Sequence, residues 1–344
     1  MASYAFWNNK GGVGKSFLCF VAASEYAQKH PEVDVYVIDL CPQANLSETL
    51  LGGQNVGGRA LERQILKPGR PTIAGYFEAR LSSPFSALVD VSQYVIVPHS
   101  SNRLVPSNLH LVCGDNLVEI LSEAIRQASQ LVLPNDAWSK VLSWVRDLVF
   151  QLQDLSGDRD SVFFIDCNPS FSIYTQQALV ASDRLVIPFT PDESSRRGVE
   201  NVIALLYGVS SGDASPYARL SFSDRAKEYG IALPRLTYFV NNRVTFYEGK
   251  PSKAFAAASK AIKNTVDSIY AKRRSLFFDA GRKPSQTFFD IPDNHSANVV
   301  CALGGIPLNR LKAGPHDIHG ERVQVNPDPL ARYKSALTQF VDRL

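Results

Sequence analysis

The chain has 344 residues, of which 45% are hydrophobic and 20% charged, and its formal net charge is +3. This composition is ordinary for a globular domain and excludes a chain that is disordered throughout. So small a net charge gives no reason on its own to expect nucleic-acid binding, and any basic surface has to come from local clustering.

The five cysteines are scattered, and no two of them have Cys-x-x-Cys spacing. An odd number without paired spacing argues against a disulfide framework or a structural zinc site, and free thiols fit a reducing compartment. The first residues lack a basic segment followed by an apolar run, and no apolar stretch reaches the roughly 18 residues of a membrane span. We therefore predict a cytoplasmic protein.

Strand and helix patterns alternate from the first residues onward. The sequence predicts strands at Tyr4–Trp7, Val33–Asp39, Gln93–Val97, Ser161–Asp166, Arg184–Phe189 and Arg235–Asn241. It predicts helices at 15–29, 116–130, 199–207 and 253–271. Several strands are apolar nearly throughout, which is typical of parallel strands buried on both faces. The predicted fold class is therefore α/β, with a doubly wound, mostly parallel sheet and helices on both faces.

No internal repeat or Pro/Ser-rich linker divides the chain, so we predict one domain over residues 1–344. Two stretches interrupt the pattern and are expected to be insertions in this domain. Residues 51–90 are rich in Gly, Pro and Ser, which predicts a loop-rich excursion. The second insertion is expected at 245–299, which includes an irregular stretch at 279–298.

The strongest motif is the glycine-rich segment Asn9–Ser16, which follows an apolar strand and opens a helix. Glycines let backbone N–H groups converge on phosphate oxygens, and the helix directs its positive end at the same anion. Lys15 can reach the β- and γ-phosphates, and the Ser16 hydroxyl can ligate Mg²⁺. The predicted nucleotide-binding residues in this segment are Gly11, Gly12, Val13, Gly14, Lys15, Ser16 and Phe17.

Asn9 stands where the standard motif has its first glycine, and an additional lysine, Lys10, follows it. The segment resembles the deviant Walker A motif of the ParA/MinD superfamily of P-loop ATPases, and it is most similar to that of the ParA-like partition ATPases. In that family ATP closes a homodimer, and the first lysine reaches the partner's nucleotide. The resemblance therefore implies that Lys10 binds nucleotide across the dimer, while a solvated lysine beside a loop is the alternative.

The second predicted strand ends in Asp39, and the segment Asp39–Asn45 resembles the family's first switch, D-x-D-P-Q-x-N. Asp39 is well placed for Mg²⁺ or its waters, or else it caps the following turn. The resemblance implies catalytic roles for Lys10, Lys15 and Asp39. The family's second aspartate positions the attacking water, but Cys41 takes its place here. A thiol is a poor general base, so we expect slow hydrolysis unless Asp39 compensates.

The strand that ends in Asp166 is similar to a Walker B strand, and Asn168 replaces the first proline of the family's D-x-P-P-S. An aspartate at this strand end accepts from Mg²⁺-bound water, or else it is a turn residue. The expected Mg²⁺ site thus comprises Ser16, Asp39 and Asp166, and the expected cofactors are ATP and Mg²⁺.

Asn242 follows an apolar strand at the position where the family has an asparagine that hydrogen-bonds adenine. An amide offers a donor and an acceptor, which suits a purine edge. The adjacent Asn241 is an alternative, and so is an asparagine that only caps a loop. The tail from residue 300 to residue 344 also resembles the family, and it adds Pro307 to the predicted nucleotide-binding residues.

ParA-like dimers bind DNA without sequence preference through basic residues, which makes binding salt-dependent. Two clusters can serve, and they comprise Arg196 and Arg197, and Lys253, Lys260, Lys263, Lys272, Arg273 and Arg274. The spacing of the first three lysines puts them on one side of a helix. A solvated helix face explains the same pattern without DNA.

The leading hypothesis is a ParA-like ATP switch that dimerises on ATP, binds DNA and a regulatory partner protein, and positions DNA or a cargo at a bacterial nucleoid or plasmid. One alternative is an interaction module that binds ATP without hydrolysing it. Another is a MinD-like ATPase that docks on lipid through residues 330–344, although the apolar positions there suit packing on the domain equally well, and a membrane partner is not expected. The last is an iron–sulfur reductase of the same superfamily that uses Cys113 and Cys167.

Overall fold

The structure is a computed structural model that describes residues 1–86, 90–208, 222–247, 250–251 and 253–344. Its strands are β1 (Ala2–Phe6), β2 (Asp34–Asp39), β3 (Leu109–Val112), β4 (Ser161–Asp166), β5 (Arg184–Phe189), β6 (Arg235–Val244), β7 (Phe246–Tyr247), β8 (Lys250–Pro251), β9 (Phe288–Pro292), β10 (Gly314–Ile318) and β11 (Glu321–Val325). Within these residues, seven parallel strands form one sheet in the order β3-β2-β4-β1-β5-β6-β9. The pairs β7–β8 and β10–β11 are antiparallel.

Helices follow most of the strands. In the described part of the chain they are α1 (Lys15–Lys29), α2 (Asn45–Leu50), α3 (Gly53–Ile65), α4 (Ile73–Ser82), α5 (Leu117–Ser129), α6 (Ala137–Leu142), α7 (Trp144–Leu155), α8 (Ile173–Val180), α9 (Glu193–Tyr207), α10 (Phe222–Glu228), α11 (Lys253–Lys272), α12 (His295–Gly304) and α13 (Pro327–Val341). Because the sheet is parallel, the loops that follow β1, β2, β4 and β5 meet at one edge.

The sheet is buried on both faces because side chains alternate along each strand. On β4, Val162 and Phe164 face a core that includes residues of α1 and α13. Phe163 and Ile165 face a second core that includes residues of α7 and α8. Each fully buried phenylalanine contributes roughly 1.5–3 kcal/mol of transfer free energy. The predicted fold class, a doubly wound α/β sheet with helices on both faces, is confirmed.

The predicted strand at Gln93–Val97 is wrong. The chain there forms a 3-10 turn at Ser92–Tyr94, and only Ile96 makes an isolated bridge, to Leu111. The Tyr94 ring packs edge-on against Tyr76 of α4, with ring centroids 5.6 Å apart, so its burial comes from a helix and not from the sheet. The true strand, β3, is a four-residue run that the sequence did not distinguish from its surroundings.

The expectation of a loop-rich stretch at 51–90 is also wrong, because α3 and α4 lie there. The Thr72 side chain caps α4 by accepting from the Gly75 N–H at 3.3 Å. The side chains of Tyr76 and Phe77 on that helix are fully buried. The second stretch, 245–299, supplies α11, α12 and the edge strand β9. The assignment of one domain with two insertions stays a prediction.

The C-terminal helix α13 packs against α1 and β9. Its apolar residues are buried, and they comprise Leu330, Tyr333, Leu337, Phe340 and Val341. The apolar face that a lipid-docking helix would need is therefore covered by protein. No helix in the described ranges combines the length and the apolar character that crossing a membrane requires.

Gly57 of α3 allows close packing against α2. A Cβ on Gly57 would lie 1.9 Å from the backbone oxygen of Glu48, whereas a Cβ on Gly58 would come no closer than 3.6 Å, to the end of the Glu48 side chain. We expect Gly57→Ala to destabilise the protein by about 1–3 kcal/mol, because the backbone of α2 has to move. Thermal or urea unfolding measures this change.

Gly58→Ala is the matched control, since it adds the same methyl group one residue away on the same helix. It should leave stability unchanged or raise it by up to about 1 kcal/mol, through helix propensity. Equal effects of the two substitutions would contradict the packing described for Gly57.

Candidate functional site

The glycine-rich loop lies at the carboxyl end of β1 and leads into α1. Gly12 and Gly14 have φ values of 74° and 88°, in the left-handed region that favours glycine. Gly11 and Gly12 are exposed, and a Cβ on either would meet nothing within 4 Å. The first turn of α1 contains no acidic residue, so nothing there offsets the positive end of the helix. Bare backbone and a helix N-terminus form a cradle suited to an anion.

Lys15 is buried beneath this loop, and its Nζ donates to the Lys10 carbonyl oxygen at 3.1 Å. Burial lowers the pKa of the Lys15 ammonium, and the neighbouring Asp166 charge opposes that shift. A phosphate would supply the counter-charge that burial otherwise denies to this group. Ser16, one residue on, is half-buried at the start of α1.

Asp166 ends β4, directly beside β1, and it is fully buried. Neither of its carboxylate oxygens has a hydrogen-bond partner in the described residues. Burial, and then the charge of Asp39, raise the pKa of the Asp166 carboxyl to about 8, while the Ser16 hydroxyl and the Lys15 charge oppose the shift. An unpaired buried carboxylate is costly, and a cation removes the cost. The carboxylate of Asp166 and the hydroxyl of Ser16 are oxygen donors, so the residues present fit Mg²⁺ and its water ligands.

Asp39 pairs with Asp166 in the register of β2 and β4, but its carboxylate is satisfied. One oxygen accepts from the Cys41 N–H at 3.0 Å, and the other accepts from the Ser47 N–H at 3.0 Å and the Ser47 hydroxyl at 2.7 Å. Burial raises the pKa of Asp39 to about 6, and the Ser47 bonds oppose the shift. The turn-capping role is thus present, and the metal role stays a prediction.

No group of three His, Cys, Asp or Glu side chains is arranged to hold a metal ion in the described ranges. A Mg²⁺ ion here would therefore depend on phosphate and water oxygens as well, which is usual for this ion beside nucleotides. Cys41 is half-buried in the loop after β2. Burial, and the charges of Asp39 and Asp166, raise the pKa of its thiol to about 12, so it is neutral at physiological pH.

Lys10 is held within its own chain. Its Nζ lies 2.6 Å from Asp192 Oδ2 and also donates to the hydroxyls of Thr190 and Ser195, at 3.2 and 3.1 Å. Asp192 also caps α9 by accepting from the Ser195 N–H at 2.9 Å. Against the opposing effect of burial, hydrogen bonds from Lys10 and Ser194 hold the pKa of Asp192 well below its usual range.

Sequence reasoning missed Thr190, Asp192 and Ser195. The signal for them was an aspartate three residues before a serine, just after the strand β5, which is a helix-capping pattern. That pattern predicts a cap, but it does not show that the cap also binds Lys10.

Asn242 is buried at the end of β6 and braces the phosphate loop. Its Nδ2 donates to the Val13 carbonyl oxygen at 3.1 Å, and its Oδ1 accepts from the Arg243 N–H at 3.1 Å. A Cβ on Gly14 would lie 2.2 Å from that Nδ2, so position 14 has to be glycine for the Asn242 amide to fit beside the loop. Asn241 instead donates to Asp290 at 2.7 Å. The structure brings Asn242, and not Asn241, to the loop, while adenine binding stays a prediction.

The remaining predicted nucleotide residues have other contacts. The Phe17 ring stacks on Tyr333 of α13, with ring centroids 6.3 Å apart. Pro307 is buried in the turn after α12, where its carbonyl oxygen accepts from the Arg310 N–H at 2.9 Å.

Asn168, which replaces a family proline, donates to the Tyr174 hydroxyl at 3.0 Å, and that hydroxyl donates to Glu119 at 2.8 Å.

Some of the candidate DNA-binding residues lie beside carboxylates, and others are exposed to solvent. Arg196 pairs with Glu200 at 2.7 Å. Lys263 lies 3.9 Å from Asp290 and 5.3 Å from the centre of the Phe288 ring, so its charge has an acidic neighbour within the chain. The side chain of Lys253 lies outside the described residues. The exposed members are Arg197, Lys260, Lys272, Arg273 and Arg274.

A family model described as an AAA domain matches residues 1–212. An uncharacterized protein of Pseudomonas putida is 27% identical over 202 residues, which is 58% of this chain and 60% of that protein. The chain thus spans about three fifths of the length of this curated relative.

Several solved structures share the fold over the whole chain. An ATP complex of Cyanothece McdA has a TM-score of 0.59 at 16% identity and covers 100% of this chain and 97% of its own. A putative plasmid partition protein from Borrelia burgdorferi bound to AMPPNP has a TM-score of 0.56 at 16% identity, and the match covers 100% of this chain and 99% of that protein's chain. A MinC:MinD cell division protein complex from Aquifex aeolicus has a TM-score of 0.53 at 16% identity, and the match covers 100% of this chain and 95% of that chain. At these identities the likeness concerns the fold alone.

The carboxyl of Asp166 predicts a pH dependence of stability in the absence of nucleotide and metal. Its pKa is about 8 in the folded state, and about 4 is usual for an unfolded chain, so the folded state binds more protons between those values. Stability should therefore fall as the pH rises through this window. Asp39, with a folded pKa of about 6, acts in the same direction below pH 6. We expect Asp166→Asn to remove the loss of stability between about pH 6 and 8, measured by urea unfolding in EDTA.

Asp158→Asn, which changes an exposed carboxylate, is the control and should keep the wild-type profile. The assignment of the pH dependence to Asp166 is wrong if Asp166→Asn loses as much stability over this interval as the wild type does.

Proposed function

The chain belongs to the AAA domain family whose model it matches over residues 1–212 and has the ParA/MinD-type P-loop ATPase fold, and on that basis we propose that it is an ATP-dependent dimeric switch. In this proposal Mg²⁺-ATP closes a homodimer, which binds DNA without sequence preference and engages a partner protein that regulates the ATP cycle. The assembly positions DNA or another cargo. The observation that carries the proposal is the bare phosphate loop beside the unpaired carboxylate of Asp166.

The proposed nucleotide site follows from the geometry of this loop. Backbone N–H groups from Gly11 to Gly14 bind the β- and γ-phosphates, and Lys15 adds its charge from below. Ser16 and Asp166 hold Mg²⁺ and its waters, and the ion neutralises phosphate charge when it is bound. Asn242 keeps the loop in shape through Val13.

Lys10 is the residue that we propose for the partner's nucleotide. In the single chain its ammonium is bound by Asp192, Thr190 and Ser195, which follow directly after β5. Release of this lysine to a phosphate exchanges one anionic partner for another. The similar fold of nucleotide-bound McdA and of the Borrelia partition protein supports an ATP-dependent cycle.

An ATP-dependent module that does not hydrolyse ATP is the second candidate, and Cys41 favours it. Its thiol is neutral at physiological pH and is a poor acceptor of the hydrogen atoms of water, so it cannot position an attacking water as an aspartate does. A lipid-docking role gains no support, because α13 buries its apolar face against α1 and β9.

We expect Cys41→Asp to raise the rate of phosphate release from Mg²⁺-ATP by about tenfold or more, since a general base contributes roughly 10²–10⁴-fold when it is well placed. The measurement is steady-state phosphate release, with and without duplex DNA. Cys41→Ser is the matched control, because it is close in size and adds no charge. If the native protein already turns over quickly and Cys41→Asp changes nothing, another group carries the step.

The proposed DNA surface consists of exposed basic residues on α11 and just beyond its end, namely Lys260, Lys272, Arg273 and Arg274. We expect the triple variant Lys260→Ala, Lys272→Ala, Arg273→Ala to bind duplex DNA more weakly when Mg²⁺-ATP is present. Each DNA phosphate that the protein no longer neutralises reduces the magnitude of the negative slope of log K against log salt by about 0.9, so the slope should become less steep by up to about 3. Fluorescence anisotropy over a salt series measures both quantities.

The matched control is the triple variant Arg59→Ala, Lys312→Ala, Arg322→Ala, which removes three exposed charges elsewhere on the molecule. Equal affinities and equal salt slopes for the two triple variants would remove α11 from the DNA surface.

A further inference from the structure

A cleft of about 540 Å³ lies at the edge of the sheet opposite the phosphate loop. It opens at the amino ends of β1, β5 and β6, where Ala2, Arg184 and Arg235 line it. Its volume is within the range of about 300–1,000 Å³ that is typical of ligand sites. Neither the phosphate loop nor any of the proposed nucleotide residues lines this cleft.

The cleft combines a basic rim with an apolar interior. Its apolar lining comprises Val149, Phe150, Val180, Ala181, Leu233 and Phe278. Phe150 and Phe278 are 49% and 41% exposed, which is unusual for side chains of this size. Three arginines line the cleft, at positions 146, 184 and 235, against one acidic residue, Asp183.

Two of these arginines have no carboxylate partner. Arg146 donates only to the Ser143 hydroxyl, at 2.8 Å, and the Arg235 side chain makes no hydrogen bond within the described residues. Asp183 accepts from the Ser3 hydroxyl at 2.9 Å and forms no ion pair with the arginines in that part of the chain. The excess positive charge therefore faces the cleft without an internal counter-charge.

The third arginine is held in place. The Arg184 guanidinium lies 4.1 Å from the centre of the Phe278 ring and 5.0 Å from the centre of the Tyr4 ring. Its Nη1 donates to the Tyr4 hydroxyl and to a terminal oxygen of Leu344, the last residue of the sequence. Its Nε and Nη2 donors have no acceptor among the described residues. An anion that binds here meets a donor that is already ordered, which lowers the entropic cost of binding.

A smaller cleft of about 250 Å³ continues from the first, because Arg146 lines both. Arg80, Lys140, Asp147, Tyr229 and Ile231 line this second cleft, and the segment from 229 to 233 runs between the two. Arg80 pairs with Asp147 at 2.9 Å and Lys140 with Asp136 at 3.2 Å, so the unpaired charge at this end comes from Arg146. The two clefts thus lie side by side, and we refer to them together as the groove. Basic and apolar side chains both line it.

We propose that this groove docks a short segment of a partner protein in which acidic side chains alternate with apolar ones. The unpaired arginines match carboxylates, and the exposed phenylalanines with the aliphatic lining match apolar side chains. A DNA duplex fits less well, because it offers a row of phosphates and no apolar groups to fill an aliphatic interior. This proposal rests on the proposed function in one respect, which is that a partner protein exists. It does not involve the nucleotide site.

The test is a selection of random heptapeptides displayed on phage against the full-length protein without nucleotide. The peptides that bind should be enriched in Asp or Glu together with Leu, Ile or Phe. Their synthetic forms should bind the double variant Arg146→Gln, Arg235→Gln at least about tenfold more weakly in fluorescence polarisation, since both variant sites lose charge-assisted bonds. The matched double variant Arg59→Gln, Arg322→Gln should bind as the wild type does.

The nucleotide affinity of both double variants is measured alongside and should not change, so that failure of the groove is distinct from failure of the nucleotide site. The proposal is overturned if no acidic and apolar peptides are enriched, or if the enriched peptides bind the groove variant as well as the wild type. It is also overturned if a duplex of 30 base pairs displaces the peptides and itself loses affinity in the groove variant, because the surface then belongs to nucleic acid.

Discussion

The phosphate loop has to present bare backbone to an anion, and the rest of the site depends on this constraint. Gly11 and Gly12 leave the anion side open, while Gly14 leaves room for the amide of Asn242. That amide holds the Val13 carbonyl oxygen, and Asn8 holds the other end of the loop through the Pro188 carbonyl oxygen at 2.8 Å. The glycines of the loop carry no side chains, and the loop is shaped by Asn242 of β6 and by Asn8, which follows β1 and bonds to Pro188 of β5.

Some of the charged groups around the phosphate loop have hydrogen-bond or ion-pair partners within the chain, and others lack them. Asp39 is satisfied by the turn that follows it, whereas Asp166 beside it has no partner among the described residues. Lys10 is paired with Asp192, whereas the ammonium of Lys15 donates to a carbonyl oxygen and has the nearby charge of Asp166 to oppose its burial. The two unsatisfied groups, one cationic and one anionic, face the phosphate and metal positions of the proposed complex. Lys10, in contrast, would have to leave Asp192 to reach another chain.

The sequence predicted the parts of the site that are contiguous in the chain. The uniformly apolar runs that end in Asp166 and Phe189 indicated the bounds of β4 and β5, and the loop from Asn9 to Ser16 required no tertiary information. The bond between Lys10 and Asp192 joins residues 182 positions apart, so no local pattern contains it. It requires β5 to lie next to β1, which only the sheet order determines.

The wrong predictions have a common physical cause, because the same residue type can serve a loop or a packed interface. The glycines before α4 suggested loops, but Gly57 lies within the helix α3. Glycine is needed at that position because the backbone of Glu48 passes too close for a side chain. The run at Gln93–Val97 has the composition of a strand, but its tyrosine is buried against α4. The side-chain environment of Lys263, beside Asp290 and Phe288, likewise depends on where β9 joins the sheet.

The central claim is that ATP closes a dimer in which Lys10 completes the site of the other chain. The most direct measurement is sedimentation velocity of the wild type and of Lys10→Ala with Mg²⁺ and a non-hydrolysable ATP analogue, with nucleotide occupancy measured in the same samples. The proposed function predicts that the wild type changes from monomer to dimer on binding the analogue, and that Lys10→Ala binds the analogue but stays monomeric. A wild type that stays monomeric when it is saturated with the analogue, or a Lys10→Ala variant that dimerises equally well, would contradict it.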